Sequence, residues 1–329
     1  MTDTWLRKQR TLHAGPIAVT VAIPVEVADK LRASTPYRRI IEPVRSRRSK
    51  PRAVPAPTAA LDAAGRTLLP RVAEIDWYHT IDLGHGVVTP GRVDHRAQLP
   101  YYRLPASLAG KRVLDIGTFD GFWAFEFERR GAEVVALDVA TWADWDLPLR
   151  TLPHAADLGL GHQMGRGFAL AHEVLGSKVQ RVEGTIYDLD PAVHGEFDLV
   201  FISDLLVHLR CPQRALECAA SVCRGEMVVA DVFNPRLEGL ADLPFAQYTA
   251  PGETWWLPNV KTLNSMMSVA GCEDIDEVSR FVLDERGDDE IHKVVLRGRT
   301  STDPLWLRAY RDWALTQLPK WKSAAEQPA

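Results

Sequence analysis

The sequence predicts an α/β fold: a Rossmann-like, doubly wound and mostly parallel sheet with an antiparallel edge, plus an N-terminal extension and a C-terminal helix. Three observations predict it. From residue 111 onward, short runs rich in Val, Ile and Leu alternate with helical patterns, as strands do when helices carry the chain between them. The first run, RVLDIG, breaks at Gly117 into a loop closed by Gly121, where a doubly wound sheet presents its first strand to a ligand. The last two strand-like runs, around residues 278–283 and 292–296, have no helix between them, which predicts an antiparallel pair.

Residues 1–70 read as an extension with a basic linker. Seven Arg and Lys residues lie between Arg38 and Arg52 against the single Glu42. Such a run is a solvated linker, or, as the alternative, an arm for a polyanion such as RNA. Residues 71–110 contain IDWYHTIDLGHGVVTPG, a structured loop region that reads as a substrate-side cap. Within residues 111–300 the order is strand (RVLDIG), helix (GFWAFEFERRG), strand (AEVVALDV), helix (161–175), strand (VQRVEGTIYDL), strand (FDLVFISDLLVHL), helix (212–223), strand (GEMVVADVF), helix (263–270) and the late strand pair. In residues 301–329, Trp306, Leu307, Tyr310, Trp313 and Ala314 fall at helical spacing, which predicts a docked amphipathic helix.

Composition narrows the function classes. The 329 residues are 46% hydrophobic and 25% charged, with a net charge of −4, so no whole-chain field draws nucleic acid or membrane. No apolar run reaches the length of a membrane span. The stretch 16–27 contains Pro24 and Glu26 and lacks a small-x-small cleavage site, so it is not read as a signal peptide. Cys211, Cys218, Cys223 and Cys272 form no Cys-x-x-Cys pair; they suit reduced thiols in a cytoplasmic protein. A homo-oligomer is compatible with all of this.

The loop Gly117-Thr118-Phe119-Asp120-Gly121 misses the G-x-G-x-x-G spacing of dinucleotide sites and the lysine of a P-loop. Asp115 and Asp120 would repel a pyrophosphate; they suit a ligand that is cationic at this point. S-adenosylmethionine fits, with an ammonium, a sulfonium and no phosphate. Asp115 or Asp120 can receive the amino group, and Gly117 lets the backbone approach. Asp138 ends the second strand, where a carboxylate can accept ribose hydroxyls. Asp188 follows the third strand near the expected adenine edge, or caps a turn; Ile186 and Tyr187 are placed to flank the ring. Thr118 and Gly121 in the loop, and Ser203 and Asp204 at the end of the fourth strand, complete the expected cofactor set. Trp142 and Trp145 are expected near the adenosine end.

With these motifs the chain resembles the class I S-adenosylmethionine-dependent methyltransferases over residues 75–298. Within that group it is similar to the branch of bacterial tRNA wobble-uridine (5-oxyacetic acid) methyltransferase-like proteins, through WYHTIDLG, LDIGTFDGFWAFEFERRGA, FDLVFISDLLVHLRCPQRAL and WWLPN in that order. The resemblance implies S-adenosyl-L-methionine as cofactor and S-adenosyl-L-homocysteine as product. Carboxymethyl-transferring members carry a lysine near the WYH segment and a tyrosine just before the histidine of the fourth-strand motif. Here those places hold His79 and Val207, so a carboxylated cofactor would lose its cation and its hydroxyl donor.

For the acceptor, His208 past the fourth strand and His79 on the cap are the candidate bases, with His79 slightly ahead; each can instead be a hydrogen-bonded structural histidine. Tyr78, Trp255, Trp256 and Asn259 are the candidate substrate-binding residues, the tryptophans either stacking on a flat acceptor or forming a surface lid. The expected function is methyl transfer from S-adenosylmethionine to a small aromatic or polar acceptor. The alternatives are modification of a tRNA wobble uridine and a non-catalytic binding module on the same fold.

Overall fold

The computed structural model describes residues 7–14, 17–24, 60–147, 164–240, 243–249, 254–284 and 290–300. The expected basic linker and C-terminal helix lie outside the described residues. The chain divides into two compact units, Met1–Arg52 and Ala53–Ala329. In the first, β1 (Arg7–Ala14) and β2 (Ile17–Pro24) form an antiparallel hairpin.

The second unit is built on a seven-stranded sheet. Its strands are β3 (Arg112–Ile116), β4 (Glu133–Asp138), β5 (Gln180–Glu183), β6 (Phe197–Ser203), β7 (Cys223–Val232), β10 (Cys272–Asp284) and β11 (Glu290–Thr300), in the order β10-β11-β7-β6-β3-β4-β5. The pairs from β7 through β5 are parallel, whereas β11 runs antiparallel to both β7 and β10. The antiparallel edge is therefore as the sequence predicts. Strand order reverses between β3 and β6, which opens a crevice at the carboxyl ends of those strands.

A period of two sorts the strand residues between two cores. Leu114, Ile116, Val135, Leu137, Val200 and Ile202 face one side, beneath α5 (Pro212–Ser221) and α6 (Val260–Val269). Val113, Val134, Ala136, Leu199 and Phe201 face the other, beneath α1 (Ala63–Ala73), α2 (Phe122–Arg129) and α3 (Arg166–Leu175). The short α4 (Pro191–His194) precedes β6. Helix α1 runs across the boundary expected at residue 70, because Leu68 and Val72 belong to the same core as Trp77.

The segment 75–108 also lies on the α2 side. It folds back on itself: Thr80 N–H donates to Val93 O (2.7 Å) and Val93 N–H to Tyr78 O (2.8 Å). Gly91 makes that fold-back possible, since a Cβ there would lie 2.0 Å from the His79 carbonyl carbon. Strands β8 (Ala246–Tyr248) and β9 (Trp256–Pro258) form a separate ribbon. No described helix is long and apolar enough to cross a membrane.

Candidate active site

A cavity of about 1230 Å³ opens at the carboxyl ends of β3, β4, β6 and β7. Gly117 turns the chain out of β3 with φ +76°, a left-handed conformation that glycine tolerates best. A Cβ at this position would sit 3.4 Å from the Leu205 side chain, so the loop after β3 packs on the segment after β6. Asp115, just before the turn, is 2% exposed. Among the described residues its Oδ2 has no hydrogen-bond partner, and burial pushes its carboxyl up to about 7.

Asp120 is used differently. Its Oδ2 accepts the backbone N–H groups of Tyr78 (2.7 Å) and His79 (2.9 Å), which latches the cap onto the glycine loop. Burial pushes its carboxyl up to about 7 as well, against those two bonds. Asp138 ends β4 and accepts from Phe119 N–H (2.6 Å) and Val139 N–H (2.8 Å). Burial raises its carboxyl above the ordinary value.

Around these acids the cavity is lined by Tyr78, His79, Gly117, Phe119, Trp142, Trp145, Ile186, Tyr187, Ser203, Asp204 and His208. Aromatic rings follow one another along the rim: Phe119 lies 6.0 Å from Trp142, Trp142 4.3 Å from Trp145, and Trp145 5.7 Å from His208. Asp146 ties this rim together. It accepts from Tyr187 Oη (3.0 Å) and from Arg210 N–H (2.7 Å). Met164, itself buried, also lines the cavity.

Six residues expected at the site do not line it. Thr118 is 1% exposed, and its hydroxyl acts on the neighbouring Asp115 carboxyl, opposing the effect of burial there. Gly121 is the left-handed N-cap of α2. Asp188 is a turn cap, accepting from the backbone N–H (3.1 Å) and hydroxyl (2.7 Å) of Thr185. Asn259 is the N-cap of α6, its Oδ1 accepting from Thr262 N–H (2.9 Å), while its amide donates to Leu243 O (2.9 Å). Trp255 donates its indole N–H to Asp146 O, and Trp256 donates to Arg210 O (3.2 Å). Both tryptophans therefore brace the rim.

His79 is buried against Tyr78 (4.9 Å), His95 (5.5 Å) and Phe122 (6.0 Å). Its Nδ1 has no hydrogen-bond partner among the described residues. Burial and the charge of Lys293 lower its pKa to about 3, so the ring is neutral. The sequence reading missed Lys293 on β11, which is fully buried and paired with Asp204 at 2.5 Å. It also missed the far end of the cavity, formed by Phe233, Asn234, Gln247, Leu257, Ile291 and His292.

Residues 92–277 match the model of a methyltransferase domain family. The chain belongs to this methyltransferase family. Its cofactor is S-adenosylmethionine, and the site fits it: there is an unpartnered buried carboxylate oxygen at Asp115, a close-packed glycine turn, and an acid at the end of β4. A tRNA U34 carboxymethyltransferase from Syntrophotalea carbinolica is 26% identical over 196 residues, which cover 58% of this chain and 54% of that one. The chain thus spans about half the length of this relative. The magnesium-protoporphyrin O-methyltransferase of Rhodobacter capsulatus is 33% identical over 126 residues, 38% of this chain and 45% of that one. Among solved structures, the N-terminal domain of EvdMO1, determined with S-adenosylhomocysteine and D-fucose, superposes with a TM-score of 0.48 at 19% identity. It covers 73% of this chain and 98% of that chain.

Proposed function

We propose that the chain transfers the methyl group of ordinary S-adenosylmethionine to a small aromatic or polar acceptor. One observation carries the choice. At the two places where carboxymethyl transfer would need a cation and a hydroxyl, the cavity lining has the neutral, buried imidazole of His79 and the apolar side chain of Val207. The buried cation nearby, Lys293, is engaged by Asp204 and is not part of the lining.

When bound, the cofactor supplies an electrophilic methyl group on a sulfonium, a good leaving group. Much of the protein's task is then alignment and exclusion of water. Asp138 accepts the ribose hydroxyls, Ile186 and Tyr187 flank the adenine, and Trp142 and Trp145 cover it. Asp115 and Asp204 supply negative charge for the amino-acid end. Asp120 fixes Tyr78 and His79 over the acceptor side through their backbone amides. The far end, with Phe233, Leu257 and Ile291 beside Asn234, Gln247 and His292, offers an apolar wall with a few polar groups, as small-molecule sites do.

The Asp115 assignment gives a pH dependence. A carboxyl raised to about 7 is neutral below that pH and ionised above it, and only the ionised form attracts an ammonium. Affinity for S-adenosylhomocysteine is expected to rise between about pH 6 and pH 8. Asp115→Asn should remove that rise while Asp120 still titrates. Calorimetry across the range checks it, and a wild-type profile as flat as that of the variant would refute the assignment.

The acceptor class is tested with tRNA, since a second reading, wobble-uridine modification through the basic residues 38–52, draws on the names of the relatives. Fluorescence titration with bulk bacterial tRNA at about 50 and 200 mM salt should show no tight, salt-steep complex. A complex that weakens about a thousandfold over that interval, and also weakens on removal of residues 1–55, would replace the small-molecule reading with the tRNA one.

A further inference from the structure

Lys293 is 0% exposed in the middle of β11, where it pairs with Val232 of β7. By strand alternation it shares its face with Val295, which belongs to the core beneath α2. An apolar residue would suit that position, because a buried charge is costly to desolvate and a buried ion pair is often no more stable than a hydrophobic replacement. The lysine nevertheless remains charged. Its Nζ lies 2.5 Å from Asp204 Oδ2, 3.1 Å from Ser203 Oγ and 3.4 Å from Tyr102 Oη. The charges of Asp204 and Asp231 and its contact with Tyr102 outweigh burial and raise its pKa.

Asp204 carries a second cost at the same point. Its backbone is left-handed, with φ +53°, a conformation in which non-glycine residues are strained and which clusters at functional sites. The residue is the first after β6, adjoining the Gly117 turn through Leu205. Among the described residues its side-chain bonds, from Lys293 and from Ser203 Oγ (3.2 Å), both fall on Oδ2. The side chain is 15% exposed and lines the cavity, leaving Oδ1 for a ligand.

We infer that Lys293 is a positioning residue: from β11 it grips one oxygen of Asp204, so that the other is held toward the cavity as a receptor for the cofactor's ammonium. The inference rests on the cofactor reading above. A buried lysine on a distant antiparallel strand thereby sets affinity for a ligand it does not touch. A purely structural ion pair would affect every ligand of the site alike, whereas a positioning role affects only ligands that carry the amino group.

The test compares S-adenosylhomocysteine with 5′-methylthioadenosine, which has the adenosine but no amino-acid end. Calorimetry is run on wild type, Lys293→Met, Asp204→Asn and the double variant Lys293→Met/Asp204→Asn, with melting temperatures measured alongside. The double variant removes both members of the ion pair and leaves only the Asp231 carboxyl, which the amides of Leu205 and Leu206 hold, and this protects the test against misfolding of the single variants. All three variants are expected to bind S-adenosylhomocysteine about tenfold to a hundredfold more weakly, with methylthioadenosine affinity within about twofold of wild type. Equal losses for both ligands would reduce the pair to a structural one. If Lys293→Met binds S-adenosylhomocysteine as wild type does while Asp204→Asn does not, Asp204 needs no positioning and the role of Lys293 is overturned. Unchanged affinity in the double variant removes both residues from the site. Failure of wild type to bind either ligand would instead count against the cofactor reading itself.

Discussion

Asp138→Ala is expected to weaken S-adenosylhomocysteine binding by about a hundredfold or more, the largest effect on affinity of any single change in the lining. Two effects combine. The carboxylate can accept both ribose hydroxyls, and each charge-assisted bond contributes about 1.5–3 kcal/mol. It also holds the Phe119 amide at 2.6 Å, and Phe119 is itself a left-handed residue at φ +50°. Without that anchor the loop between Gly117 and Gly121 relaxes away from the cavity. Asp138→Asn separates the two effects, because it retains one acceptor oxygen but turns an N–H₂ toward a ribose hydroxyl or the Phe119 amide. An intermediate loss is expected there. Calorimetry with S-adenosylhomocysteine on both variants checks the ordering, and a value for Asp138→Ala within about threefold of wild type would remove the acid from the cofactor site.

Asp138 was legible because strand periodicity from 133 to 138 fixes where β4 ends, and the crevice lies at strand ends. Asp120 was legible only as a carboxylate in a glycine loop. Its partners, the amides of Tyr78 and His79, lie far back in the chain, and no local pattern announces them. The same holds for Trp255 and Trp256, whose indole N–H groups reach Asp146 and Arg210. Asp188 and Asn259 are different: T-x-x-D at 185–188 is a cap signature, and the cap was one of the two readings of Asp188, while N-x-x-T at 259–262 is a cap signature that could have been read locally as well. Lys293 left a fainter signal, a charged residue at an inward-facing position of the strand that runs into Val294, Val295 and Leu296. Its partner Asp204 directly follows β6, so the pair appears only once β7 and β11 are laid in order beside β6.

On a hydroxyl acceptor, His208→Ala is expected to lower turnover by about 10²–10⁴-fold while leaving S-adenosylhomocysteine affinity intact. The two histidines began as rivals, with His79 slightly favoured for its place on the cap, and their surroundings now argue for the other. A general base must hold the proton it takes. At His79 the imidazolium would be desolvated among Tyr78, Phe119, Phe122 and His95, and it would also feel the charge of Lys293. With a pKa of about 3, its proton affinity is roughly three orders of magnitude below that of an ordinary histidine. It can accept a hydrogen bond from an acceptor hydroxyl, but it is a poor final holder of the proton. His208 follows β6 in a short turn, half-buried beside Trp145 and lining the cavity, within reach of an acceptor bound there. His79→Phe should therefore keep turnover within about tenfold of wild type and affect mainly acceptor affinity. Turnover on a hydroxyl acceptor identified by mass spectrometry of ligands extracted from the purified protein, together with melting temperature and cofactor affinity, checks both variants. A stable, fully active His208→Ala would end its role as base, and a dead but stable His79→Phe would restore His79 to it.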